Sequence, residues 1–201
     1  MNPHKQLILN LRDHVEARLS DFAGESYSLL RQAATHFVVQ KEQLFYLHGE
    51  KGSGRSHFML ALCAEVEAQG RQALWLPFAE LGQDIPAVLQ SLEEPMLVAC
   101  DDIDVLVGQV EWEEAFFHFF NRMRGLGGQL AFSARVPPTQ LGFTLPDNVS
   151  RVAQAPSWYL ELPTDESRRA LLVVLAQRRG LVLEKGVVDW LIRWAPRQPA
   201  A

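Results

Sequence analysis

Five short apolar runs recur along the chain, and the segments between them carry apolar residues at helical spacing. The runs begin at Leu44, Ala73, Met96, Gln129 and Trp158, and each has the length of a buried strand. Strands that alternate with helices are typical of α/β domains, in which the sheet is parallel. We therefore predict an α/β domain with a five-stranded parallel sheet flanked by helices.

Two further helices follow the last run and indicate a smaller helical part. Thr164 begins the first of them with a capping signature, Gly180 ends it, and the second spans 185–194. Ahead of the first run, Ser26 is expected to cap a helix that leads to Phe37. The chain is therefore expected to divide into an N-terminal segment (1–18), the α/β domain (19–162) and a partial helical lid (163–201).

A glycine-rich loop joins the first apolar run to a helical segment. In that context the loop pattern indicates phosphate binding, although an ordinary strand-to-helix turn is the alternative. Glycines allow successive backbone N–H groups to face an anion, and the following helix offers its positive dipole end. The candidate phosphate-binding residues are Gly49, Gly52, Ser53, Gly54, Arg55, Ser56 and His57.

Arg55 stands where the phosphate-loop pattern has lysine. Arginine keeps the positive charge but replaces a compact ammonium with a broad planar fork. The hydroxyl of Ser56 is expected to coordinate Mg²⁺. We expect nucleotide binding to persist and the chain's own hydrolysis to be weak or absent.

Polar side chains end two of the apolar runs. Asp101 and Asp102 follow the third run, and Ser133 ends the fourth. Asp101 is expected to hold Mg²⁺ through water together with Ser56, and Asp102 to orient an attacking water molecule. Ser133 is expected to lie beside the phosphates. An acidic pair that caps a turn is the alternative.

Two segments ahead of the loop each have two interpretations. In residues 19–27, Phe22, Gly24 and Tyr27 either contact the nucleotide base or serve in simple packing. Nearer the start, alternating apolar residues follow a glutamine, as in a peptide that binds extended in a partner's groove. The alternative for that peptide is an edge strand or a poorly ordered terminus. Its proposed contact residues are Gln6, Leu7, Leu9 and Leu11.

Composition and net charge argue against some classes of function. The 201 residues carry a net charge of −5 without a basic run, which argues against a large nucleic-acid-binding face. No apolar stretch reaches the roughly 18 residues of a membrane span, so no membrane association is expected. Cys63 and Cys100 lie in apolar segments and are expected to be buried free thiols in a reducing cytoplasm.

These features together resemble the AAA+ family. Within it the chain is similar to the branch of the replication initiator DnaA and its shorter regulatory homologues of the Hda type, over residues 6–195. The most specific likenesses are the loop with arginine in place of lysine (52–57), the segment SARVPP (133–138) and the segment LPDNVSR (145–151).

The resemblance implies regulatory inactivation of DnaA. An ADP-bound protein, with Mg²⁺ in its site and tethered to the DNA polymerase III sliding clamp, would stimulate hydrolysis of the ATP held by DnaA. ATP or another nucleoside diphosphate is a possible alternative ligand. Arg151 matches the arginine finger, and Gln6, Leu7, Leu9 and Leu11 match the clamp-binding peptide. DNA would be reached indirectly through the clamp, in the cytoplasm at the nucleoid, and a homodimer is possible.

Two rival functions stay open. One is an independent P-loop NTPase or kinase with its own turnover, against which Arg55 counts. The other is a nucleotide-independent adaptor between clamp and initiator. The family's third lid helix, whose arginine contacts nucleotide, has no counterpart here, because neither Arg193 nor Arg197 sits in a matching motif. Truncation and divergence both explain that difference.

Overall fold

Five parallel strands form one sheet in the order β2-β3-β4-β1-β5. The computed structural model describes residues 17–92 and 96–194. The predicted α/β fold with a five-stranded parallel sheet is confirmed. The strands are β1 (Leu44–His48), β2 (Ala73–Pro77), β3 (Leu97–Asp101), β4 (Gln129–Ala134) and β5 (Ser157–Tyr159).

Helices connect and flank the strands, as short apolar strands in a parallel sheet require. Within the described residues, the α-helices are α1 (Ser28–Gln40), α2 (Arg55–Ala68), α3 (Phe78–Leu81), α4 (Ile85–Ser91), α5 (Val110–Gly125), α6 (Pro146–Val152), α7 (Asp165–Arg178) and α8 (Lys185–Trp194). Short 3₁₀ turns lie at Leu19–Asp21, Glu25–Tyr27, Gly82–Asp84, Ile103–Leu106 and Pro138–Gln140.

Both faces of the sheet are covered, because successive side chains of a strand point to opposite sides. In β1, Phe45 and Leu47 pack into the core formed with α1 and α2. Tyr46, between them, packs into the second core with α4 and α5. The α/β domain is therefore a three-layer sandwich, and the carboxyl ends of β1, β3 and β4 meet at one edge.

Two sequence expectations about element ends are wrong. Ser26 does not cap α1: it lies inside the turn Glu25–Tyr27, and α1 begins at Ser28. The fifth strand was expected over 158–162 but covers Ser157–Tyr159. Its pairing with β1 ends at the bond from the Leu160 N–H to the His48 carbonyl, at 2.7 Å.

The helical part follows the sequence prediction closely. The Thr164 hydroxyl accepts the Ser167 N–H at 3.1 Å and caps α7. The second helix spans the predicted residues 185–194. Arg169 and Asp189 form an ion pair between the two helices. Several large apolar side chains of this part stay exposed, with Trp190 at 60% and Trp194 at 67%.

Cys63 and Cys100 are buried free thiols, as predicted. Burial raises the pKa of the Cys63 thiol to about 12. Across 17–92 and 96–194, the structure contains no helix long and apolar enough to cross a membrane. The proposed clamp-binding residues Gln6, Leu7, Leu9 and Leu11 lie outside the described residues, as does Arg197.

Candidate phosphate site and surface arginine

Left-handed glycines shape the loop between β1 and α2. Gly52 has φ +88° and Gly54 has φ +100°, a region that side-chain-bearing residues rarely adopt. Gly54 is the N-cap of α2, and its carbonyl accepts the Phe58 N–H at 2.9 Å. The first N–H groups of a 14-residue helix are consequently directed toward the loop.

Gly49 is packed so tightly that only glycine fits. A Cβ at this position would overlap the Leu160 carbonyl oxygen and lie 2.9 Å from the Ser53 hydroxyl. The Gly49 N–H donates to the Ala134 carbonyl at 3.2 Å. The start of the loop is thus fixed by the chain segments that leave β4 and β5.

The Arg55 guanidinium folds back onto the loop and the acidic pair. Its Nη1 donates to the Gly49 carbonyl, and its Nη2 donates to Asp102 Oδ1 at 2.6 Å. The side chain is 8% exposed. Sequence reasoning identified Arg55 as the loop cation but did not foresee that its donors would bind the protein's own oxygens.

Asp102 is held by this ion pair in an uncommon backbone conformation. Its φ of +55° and ψ of +50° are left-handed, which aspartate tolerates better than most residues. The side chain is 29% exposed. Its Oδ1 accepts from Arg55, and its expected role of orienting an attacking water molecule stays a prediction.

Asp101, Ser133 and Ser56 form a hydrogen-bonded group at the carboxyl edge of β3 and β4. Ser133 donates its hydroxyl proton to Asp101 and accepts the Asp102 N–H at 3.0 Å. Burial raises the pKa of Asp101, although hydrogen bonds with Ser133 and Ser56 oppose that rise. Hydroxyl and carboxylate oxygens are ligands that suit Mg²⁺. Ser56 and Asp101 therefore fit the predicted metal position.

Phe22 and Tyr27 pack beside the loop and are almost completely buried, at 8% and 7% exposure. The Phe22 ring meets Tyr27 edge-on at 5.8 Å and Phe58 at 5.0 Å between ring centroids. It also lies 3.5 Å from where a Gly54 Cβ would stand. The nearby Gly24 has φ +113°. The rings serve packing here, and their contact with a nucleotide base stays a prediction.

Asp21 joins the loop helix to the lid, and sequence reasoning missed it. Its carboxylate accepts hydrogen bonds from Arg178 Nη1 at 3.2 Å and from the Arg18 N–H at 2.9 Å. His57 Nε2 lies 2.8 Å from the same carboxylate. Burial acts to raise the pKa of Asp21, but the bonds with Arg178, Arg18 and His57 outweigh burial and lower it. The His57 ring is paired with Asp21, and its contact with phosphate stays a prediction.

The candidate finger, Arg151, lies at the surface on α6. Its guanidinium covers the Phe117 ring at 4.1 Å, and its Nε donates to Asn121 Oδ1 at 2.9 Å. Its Nη1 donates to the Asp147 carbonyl at 3.2 Å. The side chain is 22% exposed. Arg151 is therefore not interior, and it is held against α5 by local contacts.

Comparison with known proteins shows which family the chain belongs to. No family model matches it. An "uncharacterized protein" of Haemophilus influenzae is 34% identical over 191 residues, which cover 94% of this chain and 83% of that relative. The chain belongs to the family of this Haemophilus influenzae protein.

Solved structures similar to this chain include replication initiators. A crystal structure of a DNA replication initiation factor has a TM-score of 0.72 and 20% identity, with 92% of this chain and 61% of that chain covered. AMPPCP-bound DnaA from Aquifex aeolicus has a TM-score of 0.68 and 20% identity, with coverage of 91% and 62%. Domain III of Thermotoga maritima DnaA has a TM-score of 0.73 and 16% identity, with coverage of 89% and 81%.

These similarities establish the fold, which is that of domain III of Thermotoga maritima DnaA. The chain spans about three-fifths of the length of the first of these initiators. Among the described lid residues, Arg178 is the arginine that reaches the α/β domain beside α2, through Asp21. Arg193, in contrast, lies over the Trp194 ring at 5.8 Å.

Proposed function

We propose that this chain regulates a DnaA-type initiator. In this proposal it binds ADP with Mg²⁺ and offers Arg151 to the γ-phosphate of ATP held by DnaA, which speeds hydrolysis of that ATP. The observation that carries the proposal is the contrast between Arg151 and the Arg55–Asp102 ion pair. Arg151 is displayed at the surface, whereas the acid expected to orient water in the chain's own site is bound to Arg55.

Nucleotide binding is supported by the loop. Left-handed glycines and the N-terminus of α2 present backbone N–H groups to an anion, and Ser56 and Asp101 offer oxygens to Mg²⁺. The similar Aquifex aeolicus DnaA is AMPPCP-bound. Ser133 lies on β4, next to the strand β1 that leads into the loop, and it is hydrogen-bonded to Asp101. A diphosphate is our preferred ligand because nothing in the mechanism requires this chain to cleave a γ-phosphate.

Weak intrinsic hydrolysis follows from the Arg55 ion pair. A carboxylate that accepts a guanidinium hydrogen bond has one fewer lone-pair site for a water molecule. The bond between Arg55 Nη2 and Asp102 Oδ1 is 2.6 Å long, as charge-assisted bonds are. The site would therefore keep its nucleotide without turning it over.

Arg151 suits a role toward a neighbouring molecule. Its side chain is 22% exposed, and its bonds with Asn121 Oδ1 and the Asp147 carbonyl are made to neutral acceptors. The charged phosphate oxygens of a nucleotide on a docked partner would be stronger acceptors for the same guanidinium. An arginine finger in other nucleotide hydrolases raises the rate about 10³- to 10⁵-fold.

The remaining partners are also part of the proposal. Gln6, Leu7, Leu9 and Leu11 would bind the sliding clamp and so bring an acidic chain to DNA without a DNA-binding face of its own. The DNA replication initiation factor among the similar structures supports a place in replication initiation. A homodimer that buries the Arg151 surface would be an inactive storage form.

The decisive experiment measures hydrolysis of DnaA-bound ATP with clamp-loaded DNA and this chain. We expect Arg151→Ala to abolish the stimulation while ADP and clamp binding persist. Arg124→Ala is the matched control. Like Arg151, Arg124 lies over a phenylalanine ring of α5, in this case Phe120 at 5.9 Å. Full stimulation by Arg151→Ala would reject the finger, and equal loss in both variants would indicate general damage to α5.

An independent NTPase is the second candidate, and one observation favours it. Asp101 is already hydrogen-bonded with Ser133 and Ser56, the residues that we propose to contact the phosphates and Mg²⁺. Displacement of Arg55 from Asp102 would leave a complete hydrolytic site. Appreciable ATP turnover by the purified chain without DnaA would support this candidate over regulation in trans.

A further inference from the structure

A buried carboxylate on α5 organises the segment that carries Arg151. Glu113 is fully buried, with 0% exposure. Its Oε1 accepts the Gly108 N–H at 2.9 Å and the Thr144 N–H at 3.0 Å, and its Oε2 accepts the Leu145 N–H at 2.8 Å. A buried carboxylate is tolerated only when hydrogen bonds of this kind replace its hydration.

Two of these donors immediately precede α6. Leu145 is the N-cap of α6 and supplies no side-chain cap of its own, since it is apolar. Asn148, inside α6 and also fully buried, donates its Nδ2 to the Glu113 carbonyl at 2.9 Å. Glu113 therefore binds the helix through both its side chain and its backbone, and it fixes where α6 starts.

The same face of α5 also holds the Arg151 side chain. Glu113, Phe117 and Asn121 are spaced four residues apart, which puts them on one side of the helix. Phe117 lies beneath the guanidinium, and Asn121 accepts from its Nε. One stripe of α5 consequently determines both the backbone position of α6 and the direction of Arg151.

We propose that Glu113 is a positioning residue for the arginine finger, an inference that rests on the proposed function of Arg151. It acts through α6 and touches no nucleotide. Its effect would fall on the maximal rate of stimulated hydrolysis, because a displaced guanidinium still allows the two proteins to meet. The concentration of this chain that gives half-maximal stimulation would stay the same.

Glu113→Gln is the direct test. Glutamine keeps the shape, but its amide nitrogen replaces one of the two oxygens and cannot accept the N–H groups bound there, either Leu145 or Gly108 and Thr144. We expect at least a tenfold lower maximal rate, with ADP binding unchanged. Glu114→Gln is the matched control, since it removes the same charge from the adjacent exposed position. If Glu113→Gln stimulates like the parent, the positioning role is rejected.

The two single variants separate this inference from the proposed function. If Arg151→Ala itself stimulates normally, the proposed function fails. If Arg151→Ala is inactive and Glu113→Gln is fully active, only the positioning role fails.

A second variant and a direct probe cover the case in which Glu113→Gln does not fold. Asn148→Ala removes the bond to the Glu113 carbonyl and leaves the carboxylate in place. We expect a lower maximal rate and a changed ¹⁵Nε resonance of Arg151, assigned through its absence in Arg151→Lys. An unchanged rate and resonance in Asn148→Ala would overturn the inference.

Discussion

The ion pair between Arg55 and Asp102 competes with any phosphate for the loop cation, so Asp102→Asn should tighten ADP binding. In the parent, Arg55 Nη2 donates to Asp102 Oδ1 at 2.6 Å. Asparagine retains an acceptor oxygen but loses the negative charge. The guanidinium would then turn more readily from the acid toward a bound diphosphate.

The magnitude follows from the geometry of the pair. A hydrogen bond to a charged group contributes about 1.5–3 kcal/mol. Asp102 is 29% exposed, so solvent screening favours the lower end of that range. Since about 1.4 kcal/mol corresponds to a tenfold change in affinity, we expect ADP to bind about tenfold more tightly to Asp102→Asn.

Isothermal titration calorimetry with ADP, in the presence and absence of Mg²⁺, measures this change. Asp104→Asn is the matched control: it removes the same charge two residues away, where Asp104 pairs with Arg135 at 2.7 Å instead. The ratio between variant and parent should be the same with and without Mg²⁺, because Asp102 is not the expected metal residue. Unchanged or weaker ADP binding by Asp102→Asn would refute the competition.

Three other variants test separate contacts. Asp21→Asn should destabilise the protein at pH 7 by about 1.5–3 kcal/mol, since the charged Arg178 guanidinium binds that carboxylate. Because the pKa of Asp21 is lowered in the fold, the difference from the parent should persist down to about pH 3.9 and then vanish as pH falls through the lowered value. Urea denaturation across pH measures this, and a constant difference at all pH values would argue against it. Asp101→Asn should raise the urea midpoint of unfolding at pH 7, because burial raises the pKa of that carboxyl and disfavours its charged form. The same substitution should remove the Mg²⁺-dependent part of ADP binding. A lowered midpoint would contradict this reasoning. Gln6→Ala combined with Leu9→Ala should abolish co-elution with the sliding clamp and leave the unfolding midpoint unchanged, whereas retained co-elution would reject the peptide assignment.

The parallel strands and the two C-terminal helices were predictable because their signals are local. Strand-length apolar runs and helical spacing are properties of neighbouring residues, whereas the order of the strands in the sheet was not predicted. Thr164 was recognised as a cap for the same reason. Ser26 was misassigned, because a serine in a 3₁₀ turn and a serine at a helix N-cap have the same local sequence context.

The contacts that define the candidate site were not predictable in the same way. Asp21 and Arg178 are 157 residues apart in sequence, and no local pattern relates them. Glu113 is one of three acids near the start of α5, and no local signal sets it apart, whereas the fold buries it. Arg55 was identified as the loop cation by its position, but the direction of its side chain depends on Asp102, which directly follows β3.

The central claim is that Arg151 acts on a nucleotide held by another protein while this chain's own nucleotide stays intact. The most direct measurement follows two nucleotides in one reaction: radiolabelled ATP on DnaA, and separately labelled nucleotide on this chain, with clamp-loaded DNA. The account predicts rapid hydrolysis on DnaA that requires Arg151, and no turnover on this chain. Turnover on this chain alone, or hydrolysis on DnaA that is undiminished in Arg151→Ala, would contradict it.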